Sequence, residues 1–272
     1  MNVASDAAVN RARFPRGLEQ PEGSFRFSMD ALLLAAFAAQ EQGAFAAEEQ
    51  GAFATQEKED ARPQTTFADL GTGCGVVGLA LLLRQQGHGI GLDLDADLVL
   101  AAQRNAAHLG FSDCFTALLV DLADEAHLCA VRQQYGAMDL VLANPPWRLE
   151  GTGRVPVSPA RRKALFGDSD SLRRFVHAAT VLSAQKSRFV CILGANRLPD
   201  MLQALHETPF RPARLRFVHK KSTSPAMLCL LETRRTAATL VVEPPLFLYE
   251  ADHSPTQAAL TFCPSVARKD VL

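Results

Sequence analysis

The 272-residue chain is 48% apolar and 21% charged, ordinary proportions that exclude a disordered or fibrous protein and leave room for a full hydrophobic core. Its 28 Lys and Arg balance 29 Asp and Glu for a net charge of −1, which excludes nucleic-acid binding through bulk positive charge but not through a local basic patch. The six cysteines form no C-x-x-C pair and have no histidine at ligand spacing, so no metal is expected, and Cys191 and Cys229 lie in apolar runs, the usage of a reducing cytoplasm.

In chain order, residues 1–24 are polar with Arg11, Arg13 and Arg16, and read as a flexible, dispensable leader. FRFSMDALLLAAFAAQ over 25–40 reads as a short extended stretch entering an apolar helix, expected to lie as a lid over a cleft. Its run ALLLAAFAA is about half of what a membrane span needs, so no membrane partner is expected. EQGAFA at 41–46 recurs at 49–54, an alanine-rich helical insertion, and a charged linker completes the unit 25–65.

From residue 66 strands and helices alternate. TFADL is a first strand, GVVGLALLLRQQ a helix, GIGLDL a second strand and DADLVLAAQRNAAHLG a helix. CFTALLVDL and AMDLVLANPP are the third and fourth strands, and a helix over 169–185 leads to the strand RFVCILG. RLRFVHKK and AMLCLLETRR flank the turn STSP as a β-hairpin. The pattern implies an α/β, Rossmann-like, seven-stranded and mostly parallel sheet over 66–235, closed by an antiparallel hairpin. The extension 236–272, which contains VVEPPLFLYE, is expected to add an edge strand or packed segment.

Three acids mark successive strand ends. Asp69 precedes Gly71, Gly73 and Gly75, and the alternating glycines allow a tight turn and close approach of a ligand to the backbone. An acid here, without G-x-G-x-x-G, disfavours a pyrophosphate and suits a cationic ligand such as S-adenosyl-L-methionine, with its sulfonium and ammonium groups. Asp93 follows Asp69 by 93 − 69 = 24 residues and is placed to accept both ribose hydroxyls. Asp121, after the third strand, would accept from the adenine amine or cap the next helix.

Asn144, Pro145, Pro146 and Trp147 follow the fourth strand. The prolines make the exit rigid, and the Asn side-chain oxygen with a turn carbonyl offers two acceptors to a planar amine. Drawing its hydrogens favours a pyramidal nitrogen whose lone pair attacks a sulfonium methyl in line. Trp147 offers a stacking face for a base. Further basic residues cluster at Arg154, Arg161, Arg162, Lys163, Arg173 and Arg174, and at Arg211, Arg214, Arg216, Lys220 and Lys221.

DLGTGCG, GLDLD and NPPW together resemble the class I S-adenosylmethionine-dependent methyltransferases that modify planar nitrogens. FRFSMDALLLAAF, LRFVHKKSTSPAMLCLLE and PLFLYE resemble, within them, the bacterial tRNA1(Val) (adenine(37)-N6)-methyltransferases. The resemblance implies an enzyme that methylates an adenine amine in a tRNA anticodon loop, and a monomer is expected. Asp69, Gly71 and Gly73 would then line the methionine end, Asp93 the ribose, Asp121 the adenine, and Asn144 to Trp147 the amine, with Gly75 and Asn144 also among the cofactor-binding residues. Trp147 departs from the Tyr or Phe usual there, and Ala160-Arg161-Arg162-Lys163 keeps two residues of the usual Ala-Arg-His-Glu. The same amine chemistry serves a protein glutamine amide, an rRNA guanine N2 or a DNA adenine. From another class, a nonenzymatic S-adenosylmethionine- or tRNA-binding module is the alternative, against which the intact Asn144 motif argues.

Overall fold

The computed structural model describes residues 3–24, 26–40, 64–145, 148–149, 166–167, 170–236 and 239–267. The EQGAFA repeat, Pro146, Trp147, Arg154, Arg161, Arg162 and Lys163 lie outside them.

The expected strands form in the expected order: β1 (Thr65–Leu70), β2 (Gly87–Asp93), β3 (Phe115–Leu119), β4 (Met138–Ala143), β7 (Ser183–Gly194), β8 (Arg211–His219) and β9 (Ala226–Arg234). Two-residue strands β5 (Arg148–Leu149) and β6 (Phe166–Gly167) pair separately with each other. The main sheet runs β8-β9-β7-β4-β1-β2-β3, parallel except for β9, which is antiparallel to both neighbours. This is the parallel sheet closed by a hairpin that the sequence implies, the class I methyltransferase outline. Beyond these seven, β10 (Val241–Val242) and β11 (Leu246–Phe247) of the C-terminal extension each pair in parallel with β8, the expected edge addition, which makes nine strands among the described residues.

Alternation divides the side chains between two cores. Phe67, Phe115, Leu140, Leu142, Val190 and Ile192 face α2 (Met29–Ala39), α3 (Val76–Leu82), α4 (Ala96–His108) and α8 (Gln257–Phe262). Ala68, Leu70, Ile90, Leu92, Val141 and Phe189 face α5 (Glu125–Tyr135), α6 (Ser171–Leu182) and α7 (Leu198–Leu205). The face toward α3 is tight at β2. A Cβ on Gly89 would stand 2.1 and 2.2 Å from Phe67 ring carbons. Gly89→Ala is therefore expected to destabilise the chain by about 1–3 kcal/mol through overpacking. Pairing it with Phe67→Leu should return part of that in chemical denaturation, and an additive double mutant would refute the contact.

Two expectations at the N-terminus fail. The leader is a docked helix, α1 (Val3–Arg13), not a loose tail. Asn10 donates to His108 O at 3.0 Å, Arg11 donates to Leu109 O at 2.7 Å and Gly110 O at 3.1 Å, and the Arg11 guanidinium lies over the Phe111 ring. Those carbonyls end α4, where a helix leaves acceptors unmet and favours a cation, so a short polar helix gains its hold there. α2 is a core helix rather than a lid: every residue from Met29 to Ala38 is buried, against α3, β7, β9 and the C-terminal segment. A helix apolar on all sides is buried on all sides.

A third correction concerns charge. Arg214 and Arg216, read as a basic surface, are buried. Arg214 pairs with Glu232 at 3.1 Å and Glu243 at 3.4 Å, donates to Phe37 O at 2.6 Å and lies over the Phe37 ring. Glu232, fully buried, also meets Arg188 and Arg234. Buried charges persist only when paired, and this network seals the C-terminus of α2 onto β8 and β9.

Candidate active site

The chain leaves β1 and winds to β2 and β3 on one side, then returns to β4 on the other side of β1. Open α/β sheets form a crevice at the carboxyl ends of strands where the winding reverses, here between β1 and β4. The strand registers place the candidate residues at that edge. Leu70 pairs with Ala143, so Asn144 is the first residue beyond the level where β1 ends, and Asp69 pairs with Gly91, two residues before Asp93. Asn144 is half-buried and Pro145 buried.

The loop after β1 is built around the two carboxylates. Gly71, Gly73 and Gly75 have φ of 66°, 56° and 87°. Positive φ disfavours any side chain, and at Gly73 it combines with open space, since nothing lies within 4 Å of where a Cβ would be. Gly71 faces the Phe175 ring of α6, and Gly75, the residue before α3, packs on Ala102 of α4. Asp93 Oδ2 accepts from Gly73 N–H at 2.8 Å while its Oδ1 accepts from Asp95 N–H at 3.0 Å. Asp69 Oδ2 accepts from the Thr72 hydroxyl at 2.7 Å and Gly78 N–H at 3.1 Å.

Burial sets the electrostatics. It pushes the Asp69 carboxyl up to about 7 against the lowering bonds of Thr72 and Gly78, with the nearby Asp93 charge pushing the same way as burial. Asp93 is raised too, by burial first, with the Asp95 and Gly73 N–H groups pulling it down. Two carboxyls poised this way at one crevice favour a ligand that brings positive charge.

Asp121 stands two residues beyond β3, exposed, with Oδ1 accepting from Ala123 N–H at 2.8 Å. It braces its own turn, and the cap of α5 is Asp124. Asp95 caps α4 by accepting from Asp97 and Leu98 N–H groups. Arg173 and Arg174 are exposed on α6, whose Phe175 meets the glycine loop.

Sequence reasoning passed over three residues that shape this loop. Thr72 ties Asp69 into it, and a Cβ on Gly91 would stand 2.7 Å from the Thr72 hydroxyl, so a glycine is needed in β2 for the loop to fold back. Asn105 of α4 donates to Cys74 O at 2.9 Å. Its signal was a buried amide in a helix face otherwise of Val99, Ala101, Ala102 and Ala106. Among the described residues no group of three His, Cys, Asp or Glu could hold a metal, and no helix is long and apolar enough to cross a membrane.

No family model matches the chain. It is 27% identical over 176 residues, 64% of its length and 67% of the relative's, to the tRNA1(Val) (adenine(37)-N6)-methyltransferase of Dickeya chrysanthemi. It is 32% identical over 189 residues, 66% of its length, to the release factor glutamine methyltransferase of Rhodospirillum rubrum, and spans 53% of that protein. Matches to two further release factor glutamine methyltransferases span only 28% and 29% of those proteins. Among solved structures, an Agrobacterium tumefaciens protein described as a predicted O-methyltransferase superposes with a TM-score of 0.61 at 18% identity, over 88% of this chain and 97% of that one. That likeness carries the fold.

Proposed function

We propose that this chain is an S-adenosylmethionine-dependent N-methyltransferase acting on a planar exocyclic amine, with adenine N6 of a tRNA as its acceptor. The observation that supports the reading is that Asn144, the Asp69 loop and Asp93 follow the carboxyl ends of the neighbouring strands β4, β1 and β2.

The crevice suits the cofactor. Open space beside Gly73 admits a ligand against the backbone. Each Asp93 oxygen has taken one N–H and keeps a lone pair for a ribose hydroxyl. Asp69 fixes the loop and supplies negative charge near the methionine end, and Asp121, with Oδ1 engaged in its turn, offers its other oxygen to the adenine amine. When bound, S-adenosylmethionine supplies an electrophilic methyl group. Asn144 accepts from the target amine and holds its lone pair in line, Pro145 and Pro146 keep that acceptor still, and Trp147 stacks the base.

Cofactor uptake should depend on pH. Asp69 has a folded pKa of about 7 against an ordinary 3.8, so the empty fold holds its proton more tightly than the unfolded chain. This group's contribution is therefore present at low pH and is lost as pH rises through the folded value. A cationic ligand favours the carboxylate and expels that proton. Binding should tighten from about pH 6 to pH 8, with proton release near neutrality seen by calorimetry in buffers of different ionisation heat. Proton uptake on binding would refute Asp69 as the responsible group.

Similarity to a release factor glutamine methyltransferase supports a second acceptor, a protein glutamine amide, because that nitrogen is also planar. Incubation with methyl-labelled S-adenosylmethionine, unmodified tRNA and, separately, release factor distinguishes them. N6-methyladenosine in the tRNA digest is expected. Label only as N5-methylglutamine replaces the acceptor, and label in neither removes both acceptors.

A further inference from the structure

Asn105 sits in the last turn of α4 and is 2% exposed. A buried amide is tolerated when its donors and acceptor are met, and here all are met off the helix. Nδ2 donates to Cys74 O at 2.9 Å and to Glu19 O at 3.0 Å, while Oδ1 accepts from Glu19 N–H at 2.7 Å. One side chain thus joins the glycine loop to the leader, and the two carbonyls share one amide nitrogen. Next to it, Arg104 donates through Nε and Nη2 to both carboxylate oxygens of Glu19, each at 2.6 Å. Further along α4, Asn10 and Arg11 grip the carbonyls of His108, Leu109 and Gly110. The loop also touches α4 directly, where Gly75 packs on Ala102.

We propose that residues 14–19 are a strap that fixes the glycine loop through Asn105, so that order in the leader and affinity for the cofactor are coupled. The proposal rests on the reading of that loop as the cofactor site. Asn105 is a positioning residue: it holds the Cys74 carbonyl, and through it the loop whose Gly73 N–H meets Asp93. A ligand binds a loop already held more tightly than one it must order itself. Coupling is reciprocal, so a ligand that steadies the loop must steady the strap.

The test is titration of the full chain with S-adenosylhomocysteine by calorimetry, with amide hydrogen exchange over residues 17–20 and 71–75 read with and without ligand. In the wild type, binding should slow exchange in both segments. Asn105→Ala should bind about tenfold more weakly, the effect of losing roughly one buried hydrogen bond, and its leader should no longer respond to ligand. Asn105→Ala binding like the wild type overturns the proposal. So does a wild-type leader whose exchange ignores the ligand, and that comparison decides alone if Asn105→Ala does not fold. A wild type that binds nothing sinks the cofactor reading and the strap's role with it, whereas binding with an indifferent leader sinks only the strap.

Discussion

Asn144→Ala is expected to lower methyl transfer by about 10²–10³-fold while S-adenosylhomocysteine affinity stays close to wild type. The asymmetry follows from position. Asn144 is the first residue beyond β4, across β1 from Asp93, so in the proposed site it stands on the opposite side of the crevice from the proposed ribose acceptor. In the proposed reaction its amide oxygen would accept from the acceptor amine, whose nitrogen loses planarity in the transition state, and a contact made only then changes rate rather than binding. Single-turnover measurement at saturating tRNA separates the two. Full activity in Asn144→Ala would sink the amine-site assignment and the reaction with it. Trp147→Phe should keep much of the activity because a stacking face remains. Trp147→Ala should lose about 1–3 kcal/mol of base stacking, unless thermal melting traces its loss to unfolding.

The parts of this fold that local chemistry dictates were open to reading in the chain. Glycine turns after apolar runs, acids at strand ends and an Asn-Pro-Pro exit each depend on a few neighbouring residues, and β1, β2 and β4 carry them where expected. What escaped depends on contacts distant in sequence. α1 is polar, and its place comes from the end of α4, nearly a hundred residues on. α5 follows the strand that ends near Asp121, and α7 lies between RFVCILG and the hairpin, two stretches where no helix is expected from the sequence. Arg214 and Arg216 look like surface until Glu232 and Glu243 arrive from other strands to neutralise them. α2 was misplaced for a different reason. Its sequence does announce burial, because it is apolar all round, yet an apolar helix before a glycine loop invites a role at the cleft. The same limit applied to Asn105, whose partners are a loop carbonyl and a leader backbone that only the folded chain brings together.

Asp93→Ala is expected to weaken S-adenosylhomocysteine binding by at least about a hundredfold, since hydrogen bonds to a charged group contribute roughly 1.5–3 kcal/mol each and a ribose would take two. Two losses act together. The ribose acceptor goes, and so does the carboxylate that holds Gly73 N–H at 2.8 Å and Asp95 N–H at 3.0 Å. The loop would then be free to move at Gly73, which opens onto empty space. Stability should suffer less than affinity, because burial raises the Asp93 pKa and the empty fold gains little from its charge. Asp93→Asn divides the two losses. Its remaining carbonyl can still hold Gly73 N–H, so the loop stays in place, but only a neutral acceptor faces the ribose. An affinity between those of Ala and the wild type is expected, with melting close to wild type. If Asp93→Ala binds as tightly as the wild type, neither loss matters to the ligand and Asp93 is removed from the site. If Asn and Ala are equally weak, charge rather than loop geometry carries the binding.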